Sequence, residues 1–392
     1  MLSGRKVTVV GAGIAGLAVA RALAMRGAEV TVLEQADAIR EVGAGLQVSP
    51  NGVRVLRALG LGEELAKAGP RAESVELLDG VGGSRVARLD LGLLRPEDEY
   101  RFIHRARLIE LLADGARKAG AQIHLLQKID RIDLGMDRRP QVWTTQGTLL
   151  EADLLIGADG LHSQVRQALN GTVAPFFTHQ VAWRALIPCD HNAPRKAQVF
   201  MGPGRHLVSY PLGGGLRNIV AIEERRRWVE ESWNLRDDAT TLRAAFRNFC
   251  PQVQDWLAQV KEPWLWGLFR HPVAHRWHGS GAVILGDAAH PTLPFLAQGA
   301  VMAFEDAWVL AKMLDTHDSD DAAFAAYQAL RQPRCAAIVE AASRNARNYH
   351  LAGLTRRAAH LGLRAASVLA PGRLLGRFDW VYGHDVTDGT GA

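Results

Sequence analysis

Gly11-Ala12-Gly13-Ile14-Ala15-Gly16 decides the fold, because of what stands on either side of it. Residues 6–10 form a short β-branched run, apolar at its centre, as a strand buried in a parallel sheet requires. Residues 14–26 carry helical periodicity and stop at Gly27, and residues 29–33 are a second strand ending at Glu34. The unit is βαβ, and its glycines have separate steric duties. Gly11 permits the tight turn, Gly13 lets a pyrophosphate approach the backbone, and Gly16 lets helix and strand pack closely. Ala15 lies in the same turn, and the helix N-terminus faces the phosphate charge. Glu34, eighteen residues beyond Gly16, is placed to accept hydrogen bonds from an adenosine ribose. By itself this signature says only that a dinucleotide binds.

Two further signatures follow at wide intervals, Gly157-Ala158-Asp159-Gly160 and Gly286-Asp287-Ala288-Ala289-His290-Pro291. In this order the three resemble the single-component FAD-dependent aromatic hydroxylases, which include 4- and 3-hydroxybenzoate hydroxylases, salicylate hydroxylase and 6-hydroxynicotinate 3-monooxygenase. The resemblance runs from about residue 7 to about residue 314. It implies FAD as cofactor, NADH or NADPH as electron donor with NADH favoured, O2, and a small electron-rich aromatic or N-heteroaromatic substrate. The oxidant so implied is an electrophilic C4a-hydroperoxyflavin.

The rest of the chain fits an α/β fold. Residues 50–59 and 105–118 read as amphipathic helices, 123–132 and 141–145 as strands, and 154–156 as the strand feeding the second signature. After about Ala174 the pattern changes. Residues 181–187, 197–201, 206–210 and 218–222 alternate or pair around turns such as Gly213-Gly214-Gly215, the mark of an antiparallel sheet. Residues 75–78 and 85–89 join it from earlier in the chain, 282–285 return to the buried parallel type, and 298–314 and 322–347 are helices. The expected layout is a discontinuous Rossmann-like FAD-binding domain of the 4-hydroxybenzoate hydroxylase type, built from residues 1–72, 100–175 and 271–348. An antiparallel substrate sheet from 73–99 and 176–270 is inserted into it. A C-terminal tail, 349–392, is helical and basic to about Leu369 and irregular beyond.

The resemblance assigns cofactor contacts residue by residue. Arg40 and the loop Gly43-Ala44-Gly45-Leu46 run past the ribityl chain and flavin ring. Arg107 contacts the cofactor near its pyrophosphate, where a planar guanidinium suits phosphate. Asp159 organises backbone near the pyrophosphate, with Arg166 following at the family's spacing. Asp287 holds a ribityl hydroxyl. Backbone N–H groups at Gly299 and Ala300, where a helix opens, face the negative edge of a reduced flavin. No second GxGxxG follows a strand, so no separate nicotinamide domain is expected.

For the reaction, a phenol is activated by losing its proton, which calls for a base near the ring oxygen. The stretch His206-Leu207-Val208-Ser209-Tyr210-Pro211 lies on a strand, so His206, Val208 and Tyr210 share a face. His206 and Tyr210 are then roughly 13 Å apart at ~3.3 Å per residue, enough to flank an aromatic ring. Histidine suits the role because it titrates near working pH. The resemblance places the same H-x-x-x-Y-P pattern at the substrate hydroxyl, with Gln298 as a further polar residue of that site. His290 belongs with the cofactor loop. Trp183, Phe200 and Phe295 are candidate walls, and Arg184 or Arg217 a candidate carboxylate partner.

Bulk properties bound the alternatives. The chain has 392 residues, 48% hydrophobic and 22% charged, with net charge +5, and its basic residues are interleaved with acids. The longest basic run, Arg225-Arg226-Arg227, follows Glu223-Glu224 and reads as a solvated loop, not a nucleic-acid footprint. Cys189, Cys250 and Cys335 are odd in number and lack metal-ligand spacing, which suggests free thiols in a reducing compartment and no metal site. No apolar run reaches membrane-spanning length, the glycines of residues 7–23 argue against a signal peptide, and the cytoplasm is the expected location, as monomer or homodimer.

Three other readings remain open. Trp264-Leu265-Trp266-Gly267-Leu268 faintly resembles the halogenase W-x-W-x-I-P segment, but Phe269 stands where proline should be. A flavin-dependent reductase of isoprenoid double bonds would share the nucleotide domain. A lipid-surface protein would find its only support in the basic tail 356–377, which a helix packed on the body explains more simply.

Overall fold

The structure, a computed structural model, describes residues 2–39, 45–135, 139–225 and 235–388. Around the first signature, Lys6–Val10 pairs in parallel with Glu29–Leu33 across the helix Ile14–Ala24, and Val9, Val32 and the helix face Leu17, Ala20 and Leu23 are fully buried. Among the described residues this sheet has six strands, in the order His278–Gly279, Ala282–Ile284, Leu154–Gly157, Lys6–Val10, Glu29–Leu33 and Gln122–His124. All neighbours are parallel except the first pair. The three signatures sit at the carboxyl ends of three adjacent strands, Lys6–Val10, Leu154–Gly157 and Ala282–Ile284. That edge is where open parallel sheets bind ligands.

The second sheet has eight strands among the described residues. Its order is Leu235–Arg236, Trp264–Arg270, Phe176–Pro188, Leu216–Glu224, Arg205–Gly213, Lys196–Gly202, Ser74–Asp79 and Arg85–Asp90. It is antiparallel except where Lys196–Gly202 meets Ser74–Asp79, the seam that joins its two sequence-distant pieces. Helices Ala239–Ala245 and Pro251–Ala258 cover one face over Trp183, Phe200, Leu207 and Ile219. The opposite face meets the third signature: Ala182, Val220, Ile222 and Leu268 pack on Leu293 and Phe295. An antiparallel ribbon, Gly45–Val48 with Arg101–His104, also reaches this face.

Two sequence expectations are corrected. Residues 123–132 are not one strand: Gln122–His124 edges the parallel sheet, and Ile129–Asp133 opens a three-stranded sheet with Gln141–Thr144 and Leu149–Glu151. Leu126, at φ 58°, stands in the break. The tail beyond Leu369 is not irregular. Pro371–Gly376 and Asp379–Tyr382 are helical, and Leu374, Leu375, Val381 and Tyr382 share a buried cluster with Tyr100, Phe102 and Tyr210. The preceding helix, Gly353–Leu369, leaves Leu354, Leu361 and Val368 exposed. Among the described residues no helix is long and apolar enough to cross a membrane.

Candidate active site

The three signatures touch. Gly11 has φ 98°, and a Cβ there would lie 2.5 Å from the Ala158 carbonyl oxygen of the second signature. Gly286 has φ 61°, and its Cβ would meet that of Ala15 at 2.7 Å. Arg166 donates to the carbonyls of Ala288 at 3.1 Å and Pro272 at 2.6 Å, binding the second signature to the third. Gly16 must be glycine, since a Cβ would fall 1.9 Å from the Gly11 carbonyl oxygen. A Cβ at Gly13, in contrast, would meet nothing within 4 Å. The turn is therefore tight against protein on one side and bare on the other.

Glu34 accepts from the Ala12 N–H at 2.7 Å and the Ala36 N–H at 2.9 Å, which holds its carboxylate against the glycine turn. Asp159 accepts from Ser163 Oγ at 2.5 Å and from the N–H groups of Gln164 and Val165, so it organises the start of the helix Gln164–Asn170. Burial raises its carboxyl, and those bonds pull it back. Asp287 is open to the cleft but ringed by protein: burial pushes its carboxyl up, against His290, Arg105 and His271.

Arg107 stands apart from the three signatures. Its side chain is 63% exposed, pairs with Glu110 at 3.0 Å, and lines an outer hollow of about 450 Å³ with Arg21, Lys67 and Lys118. The guanidinium near Asp287 is that of Arg105. The helix Arg105–Lys118 explains the exchange: Leu108, Ile109 and Leu112 are buried, and Arg105 shares their face by three-, four- and seven-residue spacing, whereas Arg107 does not. Arg40, Gly43 and Ala44 lie outside the described residues. Leu46 pairs with Ile103 in the ribbon, half-buried.

Ala297, in the left-handed region at φ 53°, turns the third signature into the helix Gly299–Thr316. Gly299 and Ala300 form its first turn, with no side-chain cap. Their N–H groups have no carbonyl one turn earlier to bond. Gln298 is buried: its Nε2 donates to Ser49 Oγ at 2.9 Å, and its oxygen accepts from Asn51 Nδ2 at 3.2 Å. Asn51 also donates to Glu305 at 2.7 Å. These bonds brace the helix start, and among the described residues no hydrogen bond joins Gln298 to His206 or Tyr210.

Beneath this turn lies a buried charge cluster. His290 Nε2 is 2.5 Å from Asp306, and Arg331 donates to Asp306 at 2.8 Å and forms an ion pair with Glu305 at 2.6 Å. Burial alone would raise both carboxyls, but Arg331 and its neighbours hold each at about 2. Burial opposes charge on His290, yet Asp306 and Cys335 outweigh it and raise its pKa well above the ordinary range. Asp306 thus favours the protonated form of His290 and holds the ring in place. Possible metal ligands on His290, Asp306 and Cys335 do cluster within 4.8 Å, but the Arg331 guanidinium already occupies Asp306 and reaches Cys335 at 3.5 Å.

On the sheet face above, Tyr210 is buried, stacks on Phe102 at 5.0 Å, and has its hydroxyl beside Gln47 and Asn218. Burial raises its pKa. His206 is 0% exposed, its ring against Phe295 at 5.4 Å and Tyr349 at 5.1 Å. Burial, and then His350, hold its pKa well below the ordinary value. Its Nδ1 is 2.7 Å from His350 Nε2, and its own Nε2 has no hydrogen-bond partner. Arg184 shares this face, stacked on Trp266 at 4.3 Å, near enough to favour the Tyr210 phenolate.

Arg217 is excluded from this face. It bonds Ser209 and stacks on Trp256, on the far side of the sheet. Trp183 and Phe200 are also there, against Phe246 and Trp256, so only Phe295 of the three expected walls faces His206. The residues not anticipated from sequence are Arg105, Gln47, Ser49, Asn51, Asn218 and His350.

These residues fit FAD: a glycine turn bare on one face, two helix starts without side-chain caps, and a cleft carboxylate that burial has raised. A family model described as "FAD binding domain" matches residues 5–342. The chain is 37% identical over 358 residues to 3-amino-4-hydroxybenzoate 2-monooxygenase of Streptomyces cremeus, covering 88% of each protein. It is 33% identical to 3-hydroxybenzoate 6-hydroxylase of Polaromonas naphthalenivorans (strain CJ2), covering 97% of this chain and 96% of that one. The crystal structure of Klebsiella pneumoniae HpxO complexed with FAD and uric acid superposes with a TM-score of 0.84 at 26% identity, covering 96% of both chains. Neither the reductase nor the halogenase reading gains support, and Trp264 and Trp266 serve here as stacking partners of Arg236 and Arg184. The chain belongs to the FAD-dependent aromatic-ring monooxygenases, and FAD is its cofactor.

Proposed function

We propose that the chain hydroxylates a carboxylated phenol of the hydroxybenzoate class, with a reduced nicotinamide nucleotide as electron donor and O2 as oxygen source. The observation that carries this reading is His206: a buried imidazole held neutral, with an unpartnered Nε2, on the sheet face that meets the third signature. Such a nitrogen is a ready acceptor for a phenol proton. The two relatives named above act on rings that pair a hydroxyl with a carboxylate.

FAD, when bound, supplies the redox and oxygen chemistry. The first-signature turn, Glu34, Arg105 and Asp287 would hold it, and the N–H groups of Gly299 and Ala300 would face its negative edge. The chain's own side chains do the rest. His206 takes the phenol proton. Tyr210 fixes the ring position, backed by Phe102. Arg184, its planar guanidinium oriented by stacking on Trp266, offers its charge to the carboxylate. Phe295 covers His206 and excludes water. A reducing compartment such as the cytoplasm accords with the free thiols of Cys189, Cys250 and Cys335.

The test is a panel of 3-amino-4-hydroxybenzoate, 3-hydroxybenzoate, salicylate and 6-hydroxynicotinate, assayed with NADH and NADPH under labelled O2. At least one carboxylated phenol should accelerate cofactor oxidation and yield a product carrying oxygen from O2. Oxidation indifferent to every compound, with no oxygenated product, would overturn the reading.

A further inference from the structure

We propose that His206, His350 and Glu224 form a proton relay connecting the buried substrate oxygen to solvent, with His350 its indispensable middle member. The relay rests on the reading of His206 as base. His206 is fully buried, so a proton it takes has no direct exit. His350 Nε2 lies 2.7 Å from His206 Nδ1, and His350 Nδ1 lies 2.8 Å from Glu224 Oε1. The His350 side chain is 2% exposed, whereas that of Glu224 is 53% exposed. Two groups on adjoining strands and a third more than 100 residues further along thus lead from the interior to water.

The hydrogen bonds fix the tautomers. An ionised Glu224 only accepts, so His350 Nδ1 carries a proton. A neutral His350 must then accept at Nε2, so His206 Nδ1 carries a proton as well. That leaves one bare lone pair in the chain, His206 Nε2, on the side of the ring away from His350, and this is the atom without a partner. Burial keeps both rings neutral. The charged groups around His350 are Glu224, which favours its protonation, and Arg205, which opposes it and is itself paired with Glu223 at 3.4 Å. Tyr349, raised to about 12 by burial, also stands against the His206 ring.

Backbone contacts hold the line in place. The Gly204 N–H donates to the His350 carbonyl at 3.3 Å, and the Glu224 N–H donates to the Gly204 carbonyl at 2.9 Å. One turn therefore fixes His350 and Glu224 relative to the strand bearing His206.

The transfer balances. The phenol proton goes to His206 Nε2 as the Nδ1 proton passes to His350 Nε2, and the His350 Nδ1 proton passes to the Glu224 carboxylate, which releases it to water. Each ring gains one proton and loses one, so no buried imidazolium persists, and burial would penalise one heavily. The same path run backwards reprotonates the product oxygen and restores the tautomers.

Two measurements on the FAD-loaded enzyme test this. Long-range nitrogen–proton NMR with labelled histidine should find His206 and His350 neutral and protonated at Nδ1 at neutral pH. Either ring charged, or protonated at Nε2, overturns the relay without any substrate. Second, proton release on mixing with 3-amino-4-hydroxybenzoate is followed with a pH indicator. His350→Ala should slow it at least ~10-fold, with recovery on adding imidazole, and Glu224→Gln should slow it several-fold. Rates within twofold of wild type in both variants, while His206→Asn abolishes release, would reject the relay and leave the base standing. Unimpaired release in His206→Asn would instead reject the base. Should His350→Ala fail to fold, Glu224→Gln and the NMR decide.

Discussion

The Gly45 backbone N–H donates to Asn218 Oδ1 at 2.8 Å, tying the ribbon that flanks the cofactor cleft to the strand beside Tyr210. The approach is close enough that a Cβ at Gly45 would meet Leu212, Tyr210 and Asn218 at 2.6–2.9 Å. Gly45→Ala should cost about 1–3 kcal/mol through overpacking and weaken FAD retention. Thermal unfolding with and without added FAD checks this, and an unchanged melting temperature would show the contact to be slack.

Arg105 and Arg107 should separate cleanly. Arg105→Ala is expected to lose about 1.5–3 kcal/mol of FAD affinity, the worth of a hydrogen bond to a charged group. Arg107→Ala, a change at an exposed pair, should stay within about 0.5 kcal/mol. Flavin fluorescence titration measures both, and the reverse ranking would restore Arg107.

The contrast between these two arginines shows how much of the site is legible in the sequence. Glycine signatures can be read because Gly11 and Gly16 answer backbone collisions that occur wherever this turn forms. The shared face of His206 and Tyr210 follows from the period of one strand. Arg105 was within reach through the phase of its helix, since it lies on the buried face. Choosing Arg184 over Arg217 was not, because facing depends on cross-strand register: Tyr210 pairs with Asn218, which turns Arg217 to the opposite side. His350 meets His206 across 144 residues, and nothing local records that contact. The tail helices past Leu369 bury few side chains, and only the partner cluster of Tyr100 and Phe102 gives them a place.

The cluster under the third signature should control stability against pH. In Asp306→Asn, His290 and Arg331 lose a buried partner, which costs about 3–5 kcal/mol. The sign of the pH dependence follows from linkage. Asp306 is depressed from 3.8 to about 2, so its contribution is full above 3.8 and lost as pH falls toward 2. His290 is raised from 6.5, so its contribution is full below 6.5 and lost as pH rises through its folded value. The wild-type advantage over the variant should therefore peak between about pH 4 and 6.5 in urea unfolding. A difference that is flat from pH 3 to 9 would contradict the pairing.

Arg184→Met should spare FAD binding yet raise KM for a carboxylated phenol, by ~10-fold or more if the lost charge-assisted bond is worth over about 1.4 kcal/mol. A decarboxylated phenol should feel little of this. Equal losses for both substrates, in steady-state assays, would deny Arg184 the carboxylate.

The most direct test compares wild type with His206→Asn, each loaded with FAD, for product formed under labelled O2 from the phenol that best stimulates wild type. The wild-type product should carry one labelled oxygen, and the variant should keep its flavin while product formation falls ~10²–10⁴-fold. Hydroxylation at the wild-type rate by His206→Asn would contradict the account.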